Sequence, residues 1–167
     1  MMVNAPPGAD IEHVLVGIGE LAVARPPTIL AALGLGSCVG LTLYDPVKHI
    51  GGLAHIMLPA NPQPARLPPS ARFADQALAL LMTRMLEAGA HRERLEAKIV
   101  GGAHMFASLT GQGIGQRNIT ALRHLLHQQG IPLVATDVGG QWGRSIEFDL
   151  HTGLVRVRSF RHGENLL

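Results

Sequence analysis

The chain contains a single cysteine, Cys38, set between Gly34-Leu35-Gly36-Ser37 and an apolar run from Val39 to Tyr44. Glycines let a backbone bend and approach a ligand closely. A turn of this kind aims successive N–H groups at one point, as an oxyanion requires. Gly36 and Ser37 are therefore the candidate oxyanion donors beside the sulfur. A free thiol titrates near ~8.5 and needs a base to react at neutral pH. An adjacent imidazole takes the proton and can later give it to a departing amine. His55 is the candidate for that role, and the chemistry is attack of sulfur on a carbonyl or carboxamide.

Two strands must position this pair. Val39–Tyr44 is the first, Asp45-Pro46-Val47-Lys48 has turn chemistry with proline at its second position, and Gly52–Leu58 is the second. An antiparallel hairpin around Asp45–Lys48 pairs Tyr44 with His49 and sets Cys38 opposite His55. Opposed Cβ atoms lie about 4.5–5.5 Å apart, suited to a thiol–imidazole hydrogen bond. A register shift of two keeps both side chains on one face as diagonal neighbours, whereas a one-residue bulge separates them. By spacing alone the commoner roles are blander ones: a cysteine packed in the core and a strand histidine with its polar atoms satisfied.

The remaining pattern is α+β, a mixed and largely antiparallel sheet core flanked by helices, in one domain spanning residues 1–167. Residues 13–23 read as a strand broken near Gly17 and Gly19. A proline-rich loop over 59–72 precedes a helix from Ser70 or Ala71 to Glu87, with Leu78, Leu81, Met82, Met85 and Leu86 at helical spacing. A strand over 96–100 ends in Gly101-Gly102. A second helix over 116–129 stops at Gly130. Strands over 131–138, 145–150 and 154–160 follow, the last two joined by His151-Thr152-Gly153. Residues 1–11 and 161–167 are expected to be flexible tails.

Composition narrows the function classes. Hydrophobic residues make up 47% and charged residues 16%, a globular balance. Net charge is +2, aromatics are 4%, and Arg156 to Arg161 alternates with Val, Ser and Phe. That is an exposed strand face rather than a nucleic-acid surface. No run of ~20 apolar residues offers a membrane span, and a lone cysteine fits a reducing compartment. A cytoplasmic protein is the expectation. His124 and His127 share a helix face without a third ligand, so neither a metal nor any other cofactor is expected.

Several motifs in order resemble the CheD family of chemoreceptor glutamine deamidases. They are Leu33-Gly34-Leu35-Gly36-Ser37-Cys38 through Asp45-Pro46, Gly52-Leu53-Ala54-His55-Ile56-Met57-Leu58-Pro59, and Arg72-Phe73-Ala74-Asp75-Gln76-Ala77. Ala97-Lys98-Ile99-Val100-Gly101-Gly102-Ala103-His104-Met105-Phe106, Ile114-Gly115-Gln116-Arg117-Asn118, Asp137-Val138-Gly139-Gly140 and Gly143-Arg144 continue the likeness. The resemblance covers about residues 12–159. It implies a fold like the catalytic domain of deamidating bacterial toxins, and a Cys38–His55 pair. It implies conversion of receptor glutamine to glutamate and ammonia through a cysteine thioester. The substrates implied are methyl-accepting chemotaxis receptors, with a CheC-type phosphatase as a further partner.

The family pattern has a threonine six residues before the cysteine, where this chain has Ala32. A hydroxyl there would fix the imidazole tautomer. The expectation is that the backbone carbonyl of Ala32 substitutes for it, in the way the toxin relatives use a carbonyl. Arg117, Asp137 and Arg144 stand beside glycines at element ends. They fit the lining of a substrate groove or, equally well, a structural ion pair among them. Asn118 reads as a helix-start residue. Two other functions fit the same residues: a non-catalytic adaptor that binds receptors or a CheC-type phosphatase, for which the missing threonine argues, and a transglutaminase, in which an amine replaces water.

Overall fold

The computed structural model describes residues 9–105 and 113–167. Among these residues, ten strands and two α-helices stack in three layers: helices, a central sheet, and an outer sheet. The strands are β1 (Glu12–Leu15), β2 (Leu21–Ala24), β3 (Thr28–Leu35), β4 (Val39–Asp45), β5 (Ile50–Ile56), β6 (Glu96–Gly101), β7 (Leu133–Val138), β8 (Arg144–Asp149), β9 (Val155–Ser159) and β10 (Gly163–Leu166). The helices are α1 (Ala74–Glu87) and α2 (Ile114–Gln129).

The central sheet runs β2-β5-β4-β6-β7 and the outer one β1-β3-β8-β9-β10. Among the described strands only β1–β3 and β6–β7 are parallel pairs, so the α+β class with a mixed, largely antiparallel sheet holds. Every residue of β4 and β5 is buried, because helices cover one face and the outer sheet the other. This explains why both strands read as continuous apolar runs rather than alternating ones. Val39, Leu41 and Leu43 face Leu78, Leu81 and Met85 of α1 in the helix-side core. Tyr44 and Leu53 join Leu30, Ile146 and Phe148 in the core between the sheets.

Four expectations change. The segment 13–23 is not one interrupted strand: β1 pairs with β3 in the outer sheet, and β2 with β5 in the central one. The break at Gly17–Gly19 is thus a crossing between layers. The eight residues of β3 stand where only a glycine-spaced segment is evident in the sequence. Helix α1 starts at Ala74, because the Ala74 N–H donates to Leu58 O and Phe73 bridges to Leu58, holding the preceding residues extended. Residues 163–166, expected in a tail, form β10 against β9. Of the other expected tail, residues 1–8 lie outside the described residues, as does Phe106 of the Gly-Gly-Ala motif.

The arginine-rich strand β9 behaves as its alternation implies. Arg156 and Arg158 point outward and pair with Glu147 and Glu164 on the neighbouring strands. No described helix is long and apolar enough to cross a membrane.

Candidate active site

The hairpin that carries Cys38 and His55 forms in a register shifted by two from the expected one. Asp45 pairs with Ile50, and Gly40, not Cys38, stands opposite His55. The turn is Pro46–His49. The Asp45 carboxylate accepts from the N–H groups of Val47 and Lys48, and His49 takes a positive φ of 51°. Asp45 thereby stays in the strand and the loop moves two positions along the chain. Burial alone would raise the Asp45 carboxyl. Hydrogen bonds from Arg94 and from the N–H groups of His91, Lys48 and Val47 outweigh it and hold that carboxyl well below the usual carboxylate range.

A shift of two preserves the face. Cys38 stands just before β4, in step with Gly40, Thr42 and Tyr44, and packs against the core between the sheets. His55 points to the same layer, in step with Leu53. The two are therefore diagonal neighbours on one face, a placement that typically separates them by roughly 7–8 Å. Gly40 stands opposite His55 and is closely covered by Ile146, Leu35 and Leu53. A Cβ there would lie 2.9 Å from Ile146 Cδ1.

His55 is 3% exposed, and its Nδ1 lies 3.1 Å from the carbonyl oxygen of Val16. A carbonyl only accepts, so Nδ1 carries the proton and donates it. Nε2 is then the lone-pair nitrogen, and among the described residues it has no hydrogen-bond partner. A buried imidazole nitrogen without a partner is costly in a core and useful beside a thiol. The orienting carbonyl belongs to Val16, not to Ala32. Ala32 lies in β3 opposite Ile146, fully buried in the core between the sheets. Val16 is placed by its N–H on Ala31 O at 2.8 Å, and the C-terminal end of β5 is tied to the same crossing segment by Gly19 N–H on His55 O and His55 N–H on Glu20 O.

Around the sulfur, three consecutive carbonyls are committed. Gly36 O accepts from Ala103 N–H at 2.8 Å, Ser37 O from Asn118 Nδ2 at 3.0 Å, and Cys38 O from Gly102 N–H at 2.8 Å. In a planar trans peptide the N–H points opposite to the C=O. The N–H groups of Ser37 and Cys38 are therefore turned away from these partners, and no described residue accepts from either. Gly36 supplies its carbonyl to Ala103 and lies under Met105, whose Cγ would be 3.1 Å from a Cβ at that position. The approach of Gly101-Gly102 to the loop requires glycine: φ is 108° and 66°, and a Cβ on Gly101 would collide with Cys38 O. Cys38 itself is half-buried, and burial pushes its thiol up from the ordinary value.

The other named residues separate. Arg144 is buried and donates to Asp137 at 2.8 Å, Gly139 O at 2.8 Å and Trp142 O at 3.3 Å, with its guanidinium 4.9 Å from the Trp142 ring centroid. That is the ion pair the sequence offers as the alternative to a groove role. Arg117 is exposed on α2. The positions that sequence reasoning missed are Val16, whose carbonyl any residue type could supply, and the bridging role of Asn118.

This geometry sits in a chain of plain ancestry. Residues 57–159 match the family model described as CheD chemotactic sensory transduction. The chain belongs to the CheD family. It is 45% identical over 159 residues to the probable chemoreceptor glutamine deamidase CheD of Desulfitobacterium hafniense, covering 92% of this chain and 98% of that one. It is 47% identical over 155 residues to the probable chemoreceptor glutamine deamidase CheD 3 of Geobacter sulfurreducens, covering 89% and 94%. To its counterpart in Moorella thermoacetica it is 49% identical over 152 residues, covering 89% and 91%. The family match begins at residue 57, two beyond His55. The relatives extend the likeness over nearly the whole chain.

Proposed function

We propose that this chain is a protein-glutamine deamidase acting on chemotaxis receptors, with Cys38 as nucleophile and His55 as its base. The observation that carries the reading is the buried imidazole. Val16 O holds its Nδ1–H, while its unpartnered Nε2 shares a layer with the half-buried Cys38. The receptor substrate is supported by the names of the relatives, which are chemoreceptor glutamine deamidases.

Burial raises the thiol, so the sulfur needs a proton acceptor beside it at the moment of attack. His55 Nε2 takes the Sγ proton as sulfur bonds to the carboxamide carbon. The carbonyl oxygen becomes an anion facing the Ser37 and Cys38 N–H groups; one such donor is worth ~3–4 kcal/mol. Protonated His55 then gives its proton to the nitrogen as the C–N bond breaks, releasing ammonia and leaving a thioester. His55 next deprotonates water, whose oxygen attacks the thioester. The C–S bond breaks, glutamate leaves, and the proton returns to sulfur. Each cycle adds one negative charge to a receptor, a local change of a few tenths of a kcal/mol per neighbouring surface charge.

The test is mass spectrometry and ammonia release on purified receptor cytoplasmic fragments. The expected result is a mass gain of about one dalton per converted glutamine, with no incorporation of an added amine, and loss of both signals in Cys38→Ala. Amine incorporation would establish the transglutaminase instead. No ammonia from the unmodified protein, with receptor or CheC-type phosphatase still bound, would establish the adaptor.

A further inference from the structure

Asn118 is fully buried on α2, and its side chain reaches two carbonyls at once: Ser37 O and Met57 O, each 3.0 Å from Nδ2. Both partners can only accept, so the amide nitrogen must face them and both of its protons are used. Oδ1 then faces the other way, buried and without a partner among the described residues. An unpaired buried acceptor costs roughly 1–3 kcal/mol, which a residue serving only to cap a helix would not need to bear.

The two clamped carbonyls flank the site. Met57 follows His55 by two residues, just past the end of β5. Ser37 O belongs to the peptide whose nitrogen is that of Cys38. Peptide planarity makes these one object: holding Ser37 O toward α2 turns the Cys38 N–H directly away from it. The Gly36 and Cys38 carbonyls have backbone donors from the Gly102–Ala103 segment, but Ser37 O has only the Asn118 amide among the described residues.

We infer that Asn118 is a positioning residue for the deamidation reaction, which orients the Cys38 N–H as an oxyanion donor by clamping the Ser37–Cys38 peptide to the His55 strand. The inference rests on the proposed deamidase chemistry. It assigns Asn118 to the anionic transition state, not to substrate binding or to thiol reactivity. Without the clamp the peptide can rotate, and the donor is lost when charge develops.

The experiment compares Asn118→Leu, which fills similar volume without a donor, and Asn118→Ala with the unmodified chain. Two readouts are taken: steady-state deamidation of a receptor fragment, and alkylation of Cys38 by iodoacetamide. Alkylation is a displacement at carbon that forms no oxyanion. The expected result is a kcat lower by about 100-fold, as for loss of one oxyanion donor, with KM within about threefold and alkylation within about twofold. A folded variant with unchanged kcat overturns the inference, and so does a parallel fall in alkylation and deamidation, which a merely structural role would give. Failure of both variants to fold also overturns it, by making Asn118 a folding residue. A silent unmodified chain would instead bring down the deamidase reading, and this inference with it.

Discussion

Ala32 stands where the family pattern has a threonine, and Ala32→Thr tests what orients the imidazole. The side chain points into the core between the sheets, opposite Ile146 and with no exposed surface. Two added heavy atoms there overpack a filled layer, at a cost of about 1–3 kcal/mol. For a chain of this size each kcal/mol lowers Tm by roughly 2–4 °C, so a fall of about 6 °C is expected in a thermal melt. Catalysis should not gain. Val16 O already takes the Nδ1 proton at 3.1 Å, and a new hydroxyl finds no vacant donor on that nitrogen. Ammonia release at a temperature where both proteins are folded should agree within about twofold. A turnover tenfold higher in the variant, or about 1.4 kcal/mol of barrier, would refute the assignment of the orienting role to Val16.

The pH dependence of Cys38 follows from the direction of its shift. Because burial disfavours the thiolate, alkylation by iodoacetamide in the absence of substrate should be slower near pH 7 than for a free cysteine peptide, and should climb only above the ordinary thiol range; a plateau below pH 7 would reveal a preformed thiolate–imidazolium pair. The Asp45 carboxyl is held below its unfolded value, so the stability it contributes is present above about pH 4 and is lost as pH falls further. Urea midpoints should fall over that acid range, and Asp45→Ala should lose about 3 kcal/mol at neutral pH, since three backbone N–H groups and Arg94 lose their acceptor. Gly101→Ala should cut deamidation by about 100-fold or more if the protein folds, because the added Cβ must push the Cys38 carbonyl and the donor turn out of line; unchanged turnover would show that the turn tolerates displacement.

Much of the site is legible in the chain because its parts are close together in sequence. Cys38, the preceding glycines, the hairpin and His55 all lie within one local unit, so side-chain parity follows from strand periodicity. Parity survives the actual register because a shift of two positions leaves the face unchanged. The exact pairing was not legible. Asp45 looks like a turn residue, yet its carboxylate is stabilised by Arg94 and His91, which come from a segment more than forty positions away, and this keeps it in β4. The split of the first strand was hidden too. Gly17 and Gly19 mark a break, but only the two sheets show that the chain changes layer there.

Residue type and local pattern already carried the class and the candidate groups: one thiol in a glycine turn, one histidine on the same strand face, an α+β pattern, and the family. Those depend on residue type and local period. The groups that surround the pair come from the packing of distant segments. The Val16 carbonyl and the unpartnered Nε2 arise from a backbone crossing, and the clamp on Ser37 reaches in from α2 through Asn118. Backbone carbonyls carry no signature of residue type, and a contact between residues eighty positions apart has no local period, so both depend on how the three layers close.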